Sequence, residues 1–469
     1  MNRNDEFSTL MDNLETTPPA LEYTVTRAKA RAQAVKIRRS RAVILPLGSL
    51  GMLFAVFTIL VNVSPSFAYA AGRIPIIKDL ALAVASSPSL SAAVENKYVQ
   101  PIDEEQSENG ITARVEYIIV DQMQLNIFYT LNSDMYTAMD SAPEFKSADG
   151  GVLHGYASSW SNFGAENGDL RKITADFNEN GVPSELILSL RVHDNGSGTM
   201  DAPVKSVEDD MMGDYGEDTA PEAISTFEFS LSIDPYYTAQ GETIEINQEF
   251  LLDGQKMVLE TAEIYPTHMR FTFSDFPENT AWLTSLEFYV ENEKGERFDG
   301  VINGISAIGS HNSPMMKTHM LESAFFSNSK HLTLHITEVT WLSKDMEKVH
   351  VDLKNETADK LPQGVNFEKA VKKQNGWIVY FSAPIYEENH HYQLFSMSFY
   401  DKDGEKHEIR SSSTTDGSYY IEETDETVEL EGRFAVYFPL KDYTDGEVWL
   451  EPIFSDIVKL DTPVSLEIK

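Results

Sequence analysis

The sequence contains no cysteine among its 469 residues. This absence excludes disulfide bonds, thiolate nucleophiles and cysteine-ligated metal sites. A chain of this size without disulfides has to be held together by burial of apolar side chains. Aromatic residues, which make up 11% of the chain, supply the bulk for such cores.

Positive charge is also scarce, because 37 Lys and Arg residues face 74 Asp and Glu residues and leave a net charge of −37. The imbalance is uneven: residues 1–41 carry a net charge of +3, and the remainder carries −40. A surface this acidic repels the phosphates of DNA and RNA. We therefore expect the large acidic part to bind no nucleic acid.

Catalytic signatures are missing as well. The sequence has no G-x-S-x-G nucleophile motif, no H-E-x-x-H zinc motif and no glycine-rich phosphate loop. We expect the protein not to be an enzyme, and we predict no catalytic residues and no cofactor.

Two acidic fragments bear on calcium binding. Residues 176–181 match the opening of an EF-hand loop, but Ile187 stands where the twelfth-position acid is needed. The fragment 401–405 is similar. Because Asn-Gly and Asp-Gly supply the positive φ of tight turns, both fragments are interpreted as hairpin turns and not as metal sites.

The histidines give no metal site either. His331 and His335 would lie about 13 Å apart along a strand, which is too far for one ion. The pair His390-His391 stands in a polar stretch, where a solvated loop is favoured over a weak surface metal contact.

One long apolar run stands out, from residue 42 to residue 63, with 22 residues and no charge. As a helix it covers roughly 30 Å, the thickness of the hydrocarbon core of a bilayer. Arg38, Arg39 and Arg41 end a basic stretch directly before it, and such clusters keep their side of a span in the cytoplasm. We predict a cell-membrane protein with one transmembrane helix, a cytoplasmic N-terminus, lipid contacts and the bulk outside. A buried core helix and a signal peptide cleaved after 68–70 are the alternatives.

The cytoplasmic leader, residues 1–41, carries one apolar stripe. Phe7, Leu10, Met11 and Leu14 follow the i, i+3, i+4, i+7 spacing of one helix face. Because 41 residues cannot bury a core alone, the leader is either a disordered tail near anionic lipid or a segment that folds onto a cytoplasmic partner.

Beyond the span, the pattern predicts helices over residues 75–98, broken at Ser87-Pro88, and strands from Gly110 to the end. The predicted fold is mainly β: a helical leader, one transmembrane helix, juxtamembrane helices, then tandem immunoglobulin-like β-sandwiches. The predicted divisions are 1–41, 42–63, 64–98, 99–234, 235–355 and 356–469.

The three β blocks follow a common expected plan. Each opens with a strand pair, at 111–131, 256–274 and 367–384, and closes with two more strands. For the second block these closing strands are HLTLHITEV and KVHVDLK, and for the third they are EVWLEPIF and VSLEIK. Residues 139–165 and 299–327 are expected to be long irregular loops.

A family resemblance appears in residues 42–131, through NVSPSFAYA, IPIIKDLA, YVQ, NGI and the hydrophobic pattern up to Phe128-Tyr129. This stretch resembles single-pass membrane proteins of Gram-positive bacteria labelled as a domain of unknown function, DUF4179. Residues 227–366, with VHVDLKN and KLPQGV, resemble a second uncharacterised β domain that follows it in many members. The resemblance implies an anti-sigma-factor-like protein whose partner is an extracytoplasmic-function sigma factor.

These observations give two functional hypotheses. In the first, the exterior senses an unknown envelope ligand and the stripe of Phe7, Leu10, Met11 and Leu14 restrains a sigma factor, so that the protein transduces a signal to transcription. In the second, the chain is a membrane-anchored surface protein whose sandwiches bind cell-wall glycan or protein. The loops at 139–165 and 299–327 would then carry recognition.

Overall fold

The structure, a computed structural model, describes residues 77–160, 165–177, 181–194, 223–301, 305–310, 313–385 and 393–469. Among these described residues, no helix has both the length and the apolar character that a membrane crossing needs. The predicted span at 42–63 and the leader at 1–41 lie outside them. So do Phe7, Leu10, Met11, Leu14, Arg38, Arg39 and Arg41.

Two short helices open the described chain, α1 (Ile77–Ala83) and α2 (Pro88–Glu95). Ser87 caps α2, because its side chain accepts a hydrogen bond from the backbone N–H of Leu90 at 3.3 Å. Pro88 occupies the first helical turn, where its missing N–H costs nothing. The predicted helix pair with a break at Ser87-Pro88 is therefore confirmed.

The first β region contains two antiparallel sheets that share one hydrophobic core, which the buried face of α2 also joins. The first sheet has the order β1-β2-β3-β6-β5 and the second the order β4-β7-β8. The strands are β1 (Gln100–Glu108), β2 (Ile111–Val120), β3 (Gln124–Ser133), β4 (Met139–Ser147), β5 (Tyr156–Trp160), β6 (Arg171–Phe177), β7 (Glu185–Asp194) and β8 (Ser225–Ser232).

The second β region follows the short helix α3 (Pro235–Thr238) and again has two sheets around one core. Their orders are β14-β15-β11-β10-β9 and β13-β12-β16-β26. The strands are β9 (Glu242–Leu252), β10 (Gln255–Ile264), β11 (Met269–Asp275), β12 (Ala281–Asn292), β13 (Arg297–Phe298), β14 (Ala307–Ser310), β15 (Ser313–Leu321), β16 (Leu332–Ser343) and β26 (Asp456–Glu467), with a 3₁₀ turn at Phe325–Ser327.

The third β region has the sheet orders β18-β17-β25-β21-β22 and β19-β20-β24-β23 around a third core. Its strands are β17 (Val349–Asp352), β18 (Thr357–Ala358), β19 (Asn366–Lys373), β20 (Gly376–Pro384), β21 (Phe395–Tyr400), β22 (Lys406–Glu408), β23 (Ser413–Ile421), β24 (Glu426–Lys441) and β25 (Glu447–Pro452), with a 3₁₀ turn at Glu422–Thr424. The expected mainly β architecture of antiparallel sheets is confirmed.

The two closing strands of the second block lie in different sheets, and so do those of the third block. β16 pairs with the C-terminal β26, and β17 pairs with β25 of the third region. In the first of these pairs Leu334 faces Leu466 and Ile336 faces Val464, with Leu334, Ile336 and Leu466 buried in the second core. Alternation identifies which face of a strand is buried, but it does not identify the partner strand. The last strand therefore returns to the second region.

The prediction that residues 139–165 and 299–327 form long irregular loops is also partly wrong. Residues 139–147 form β4, residues 156–160 form β5, and residues 313–321 form β15. β4 contains Pro143 and lies at the edge of its sheet, where a strand tolerates a missing N–H donor. Proline and polar residues weaken the period-two pattern of a strand, so these strands are not recognisable from the sequence.

Candidate functional site: a buried polar junction

Asp121 lies at the end of β2 and connects the first β region to the second. Its Oδ1 accepts hydrogen bonds from the backbone N–H groups of Met123 and Gln124, both at 2.9 Å, which fixes the turn into β3. Its Oδ2 accepts two more from Thr267, from the backbone N–H at 3.0 Å and the hydroxyl at 2.5 Å. The carboxylate is fully buried, with 0% of the residue exposed. A buried charge needs such a set of donors, and this set spans two regions.

His268 continues the junction. The Thr267 hydroxyl donates its proton to Asp121, so at 2.9 Å it accepts a hydrogen bond from Nδ1–H of His268. The other ring nitrogen, Nε2, lies 3.8 Å from Oδ2 of Asp176 at the end of β6. His268 is 1% exposed and stands between two carboxylates of the first region.

The electrostatics of this cluster are coupled. Burial, the largest single effect, disfavours the charged imidazolium, but the Asp121 and Asp176 carboxylates together outweigh it, and the pKa of His268 is raised. Burial likewise disfavours the Asp121 carboxylate, but His268 and the donated hydrogen bonds hold its pKa below the usual value. Burial dominates at Asp176, whose pKa is raised despite the attraction of His268 and Arg270. The cluster thus favours the protonated imidazolium of His268 and the ionised carboxylate of Asp121.

Asp176 also corrects the interpretation of residues 176–181 as a hairpin turn. The strands on either side, β6 and β7, belong to different sheets. Oδ2 of Asp176 accepts a hydrogen bond from Gln124 at 3.2 Å and faces the second region. The local pattern was that of a turn, but the carboxylate is needed in the junction.

Glu322, which follows β15, connects α2 to the second β region. Its carboxylate accepts a hydrogen bond from the backbone N–H of Ser89 at 2.7 Å and from the hydroxyl of Ser87 at 3.1 Å. Both donors belong to the start of α2, where a helix presents unpaired N–H groups and a partial positive charge. In the reverse direction, the backbone N–H of Ser323 donates to the Ser89 hydroxyl. Glu322 is 3% exposed, so this contact is sealed from solvent.

Lys172 of β6 stands near the same carboxylate. Burial lowers the pKa of Lys172, and the charge of Glu322 opposes that effect. A cavity of about 20 Å³ lies between these groups and is bordered by Gln124, Lys172, His268 and Glu322 among others. That volume is room for about one water molecule. The junction is therefore a structural contact and not a substrate pocket.

Tyr98 provides a third link after α2. Its hydroxyl donates to the backbone carbonyl of Tyr237, and the hydroxyl of Tyr237 donates to the carbonyl of Val99 at 2.9 Å. The ring of Tyr98 lies 5.8 Å, centroid to centroid, from the ring of Phe326 in the second region. The helix pair, the first region and the second region are thus joined by buried contacts.

The fragment 401–405 is a hairpin turn, as predicted. It connects the paired strands β21 and β22, and Gly404 has φ = +80°. Oδ1 of Asp401 accepts hydrogen bonds from the backbone N–H groups of Asp403 and Glu405, at 2.9 and 2.8 Å. The hydrogen bond from Glu405 contributes most to lowering the pKa of Asp401, and the bond from Asp403 adds to it. Ligand atoms of Asp401, Glu405 and His407 lie within 4.8 Å of one another, so these three could hold a cation at the surface.

The histidines that drew attention in the sequence do not form a cluster in the described residues. Nδ1 of His335 lies 2.9 Å from the Ser465 hydroxyl, and its ring stacks on Tyr289. The backbone N–H of His331 donates to Glu293. His390 and His391 lie outside the described residues.

Sequence reasoning missed Thr267, His268 and Glu322. The signal at Asp121 was available, since an aspartate followed by polar residues between two apolar strands predicts a turn. Thr267 lies 146 residues from Asp121, and Glu322 lies 233 residues from Ser89, so these contacts left no local pattern in the sequence.

Two stretches of the chain match known protein families. Residues 38–133 match the family model described as "Domain of unknown function (DUF4179)", and residues 241–363 match "Family of unknown function (DUF5643)". None of the curated proteins matches the chain. A solved structure, "The crystal structure of the conserved domain protein from Bacillus anthracis", is similar at 14% identity and a TM-score of 0.36, covering 56% of this chain and 85% of that one. Residues 38–133 and 241–363 are thus similar to two families whose descriptions assign no function.

Proposed function

We propose that the protein is a single-pass membrane regulator whose β regions, tandem immunoglobulin-like sandwiches outside the cell, sense an envelope ligand. The cytoplasmic leader then restrains an extracytoplasmic-function sigma factor. The observation that carries this proposal is the contact of Glu322 with the start of α2, because α2 follows closely after the predicted span at 42–63. A conformational change in the second β region would therefore be transmitted directly to the segment that leads to the membrane.

A coupling role needs buried contacts with two alternative arrangements, since surface contacts transmit little energy. The bonds of Glu322 to α2 and of Asp121 to Thr267 are both buried and both cross between regions. A ligand can shift such an arrangement only by its difference in affinity for the two states. Through these contacts, the difference in ligand affinity between the two states would be transmitted to the helices.

On the cytoplasmic side, the apolar stripe of Phe7, Leu10, Met11 and Leu14 would dock on the sigma factor. A helix of this kind binds a groove through its i, i+3, i+4 and i+7 side chains. Arg38, Arg39 and Arg41 would hold the complex near anionic lipid headgroups.

The test is co-purification of the full-length protein, expressed in its membrane, with a sigma factor encoded beside it. Phe7→Asp combined with Leu10→Asp should abolish the complex and raise transcription from the target promoter. Ser8→Asp with Asn13→Asp is the matched control, because it adds the same charge off the stripe. Unchanged co-purification and transcription in the stripe variant would refute the proposal.

The second candidate is a membrane-anchored surface binding protein for cell-wall glycan or protein. A cleft of about 570 Å³ between the second and third β regions favours it. Deleting residues 2–36 distinguishes the two functions, since a surface binder keeps its binding and a regulator loses its control of transcription.

A further inference from the structure

A cleft lies between the second and third β regions. Its volume of about 570 Å³ falls in the range of small-molecule sites, roughly 300–1,000 Å³. One wall comes from β12, β14, β15 and β16 of the second region, and the other from β21, β25 and the residues after β25. The cleft is lined by residues that include Ala307, Met316, Leu342, Glu347, Glu451 and Phe454.

The apolar part of the cleft has buried and accessible sections. Leu342 and Phe454 are buried in its wall, at 4% and 2% exposure, whereas Met316 remains 36% exposed. A methionine side chain adapts its shape to different apolar ligands. The cleft therefore offers an apolar surface that a compact hydrocarbon or aromatic group can cover.

Glu451 gives the cleft an organised negative charge. Its carboxylate accepts hydrogen bonds from the hydroxyls of Ser396 at 3.1 Å, Ser398 at 3.2 Å and Tyr400 at 2.9 Å. A carboxylate has about four acceptor positions, so these three donors fix its orientation and leave capacity for another donor. The nearby ammonium of Lys406 lies 3.8 Å away, and its side chain is 59% exposed.

Glu347 adds a second, exposed carboxylate to the lining. Among the lining residues that the structure describes there is no lysine or arginine. Glu347 and Glu451 are therefore the charged side chains of the described lining, and Lys406, the exposed ion-pair partner of Glu451, is not among the lining residues. A cationic ligand would complement both carboxylates, and the apolar part of the lining favours a cation with an apolar body.

We propose that this cleft binds a small organic cation, an amine or ammonium compound with an apolar body. Its N–H groups would donate to Glu451, its charge would face Glu347, and its apolar part would cover Met316, Leu342 and Phe454. This inference goes beyond the proposed function, because such a ligand can bind whether or not the leader holds a sigma factor.

The experiment measures binding to the full-length protein in lipid nanodiscs, with empty nanodiscs as the blank. The probes are phenethylammonium, the neutral phenethyl alcohol and the anionic phenylpropionate, which share an aromatic body and differ in charge. Isothermal titration gives the dissociation constants. We expect phenethylammonium to bind about tenfold more tightly than the alcohol, which corresponds to one charge-assisted hydrogen bond. Phenylpropionate should bind most weakly.

Four variants locate the binding. Glu451→Gln with Glu347→Gln should weaken phenethylammonium about tenfold or more, and Ala307→Trp should block all three probes by filling the cleft. Glu104→Gln with Glu249→Gln removes the same net charge from exposed strand positions elsewhere and should change nothing. The single variant Glu347→Gln should cause a smaller loss of affinity for phenethylammonium. Because Glu347 is exposed, a folding defect would not account for that loss.

Several outcomes would overturn the proposal. Equal binding of phenethylammonium by wild type and by Ala307→Trp would show attraction to the acidic surface only. Binding of phenylpropionate as tight as that of the cation would contradict the charge argument, and so would no binding of the cation up to about 10 mM. Co-purification of a sigma factor is measured separately, so the failure of one proposal can be distinguished from the failure of the other.

Discussion

Removing the carboxylate of Glu322 should release α2 from the second β region. In Glu322→Ala the backbone N–H of Ser89 and the hydroxyl of Ser87 lose their acceptor. A hydrogen bond to a charged group contributes roughly 1.5–3 kcal/mol, and such contributions are not fully additive. For these two donors together we expect a loss of about 2–4 kcal/mol from the free energy that holds α2 in place.

Hydrogen–deuterium exchange measures this loss directly. Where local opening governs exchange, each 1.4 kcal/mol speeds exchange about tenfold. Amides of residues 88–96 in Glu322→Ala should therefore exchange from about 30-fold to about 700-fold faster than in wild type. Amides of β20 should keep their wild-type rates, because that strand packs in the third core whereas α2 packs in the first.

The control is Glu278→Ala, which removes an exposed glutamate from the same β region. It should leave exchange in residues 88–96 within about twofold of wild type, since exposed substitutions away from such contacts stay within about 0.5 kcal/mol. If Glu322→Ala and Glu278→Ala gave the same exchange in α2, Glu322 would not couple the helix to the β region. A uniform acceleration through all three cores would instead indicate global unfolding and would also contradict the local reasoning.

Three further predictions concern the folded state. The pKa of His268 is raised in the folded state, so its contribution to stability is fully present below about pH 6.5 and is lost as the pH rises through the folded-state pKa. His268→Gln should therefore flatten this part of the pH dependence of the melting temperature. An unchanged pH profile in the variant would refute the role of His268. Gly376 has φ = +143° and stands against the Leu440 carbonyl, so Gly376→Ala should lower the melting temperature markedly, whereas Gly300→Ala, in open space, should not. Deleting residues 456–469 should expose the edge of the second region and cause aggregation, seen as an early-eluting peak in size-exclusion chromatography, while a wild-type profile would show the strand to be dispensable.

The sequence predicts local structure well here and long-range pairing poorly. The hairpins at 111–131 and 367–384 are encoded by alternation and turn residues within some twenty residues, and both are present. The pairing of β16 with β26 joins residues more than 100 positions apart, and alternation alone does not select it. β4 escaped prediction because Pro143 interrupts its pattern, although an edge position tolerates that residue.

The junction escaped prediction for a related reason. A buried aspartate and a surface aspartate look alike in a sequence, since burial is decided by the partner that covers the side chain. Asp121 followed a recognisable turn pattern, but its bonds to Thr267 depend on how two regions meet. The seven predicted site residues in the leader and basic stretch stay predictions, because they lie outside the described residues.

The strand exchange at the C-terminus bears on how the cleft could communicate with the helices. β25, which supplies Glu451, is followed directly by β26, which pairs with β16 of the second region. The residues between them, including Phe454, line the cleft. A ligand that draws the cleft walls together therefore acts on the sheet of the second region through a covalent connection and not only through surface contacts. The same region holds Glu322 against α2. Because packed cores shift between discrete arrangements and do not deform continuously, a small closure at the cleft can be transmitted to the helix as a change of packing.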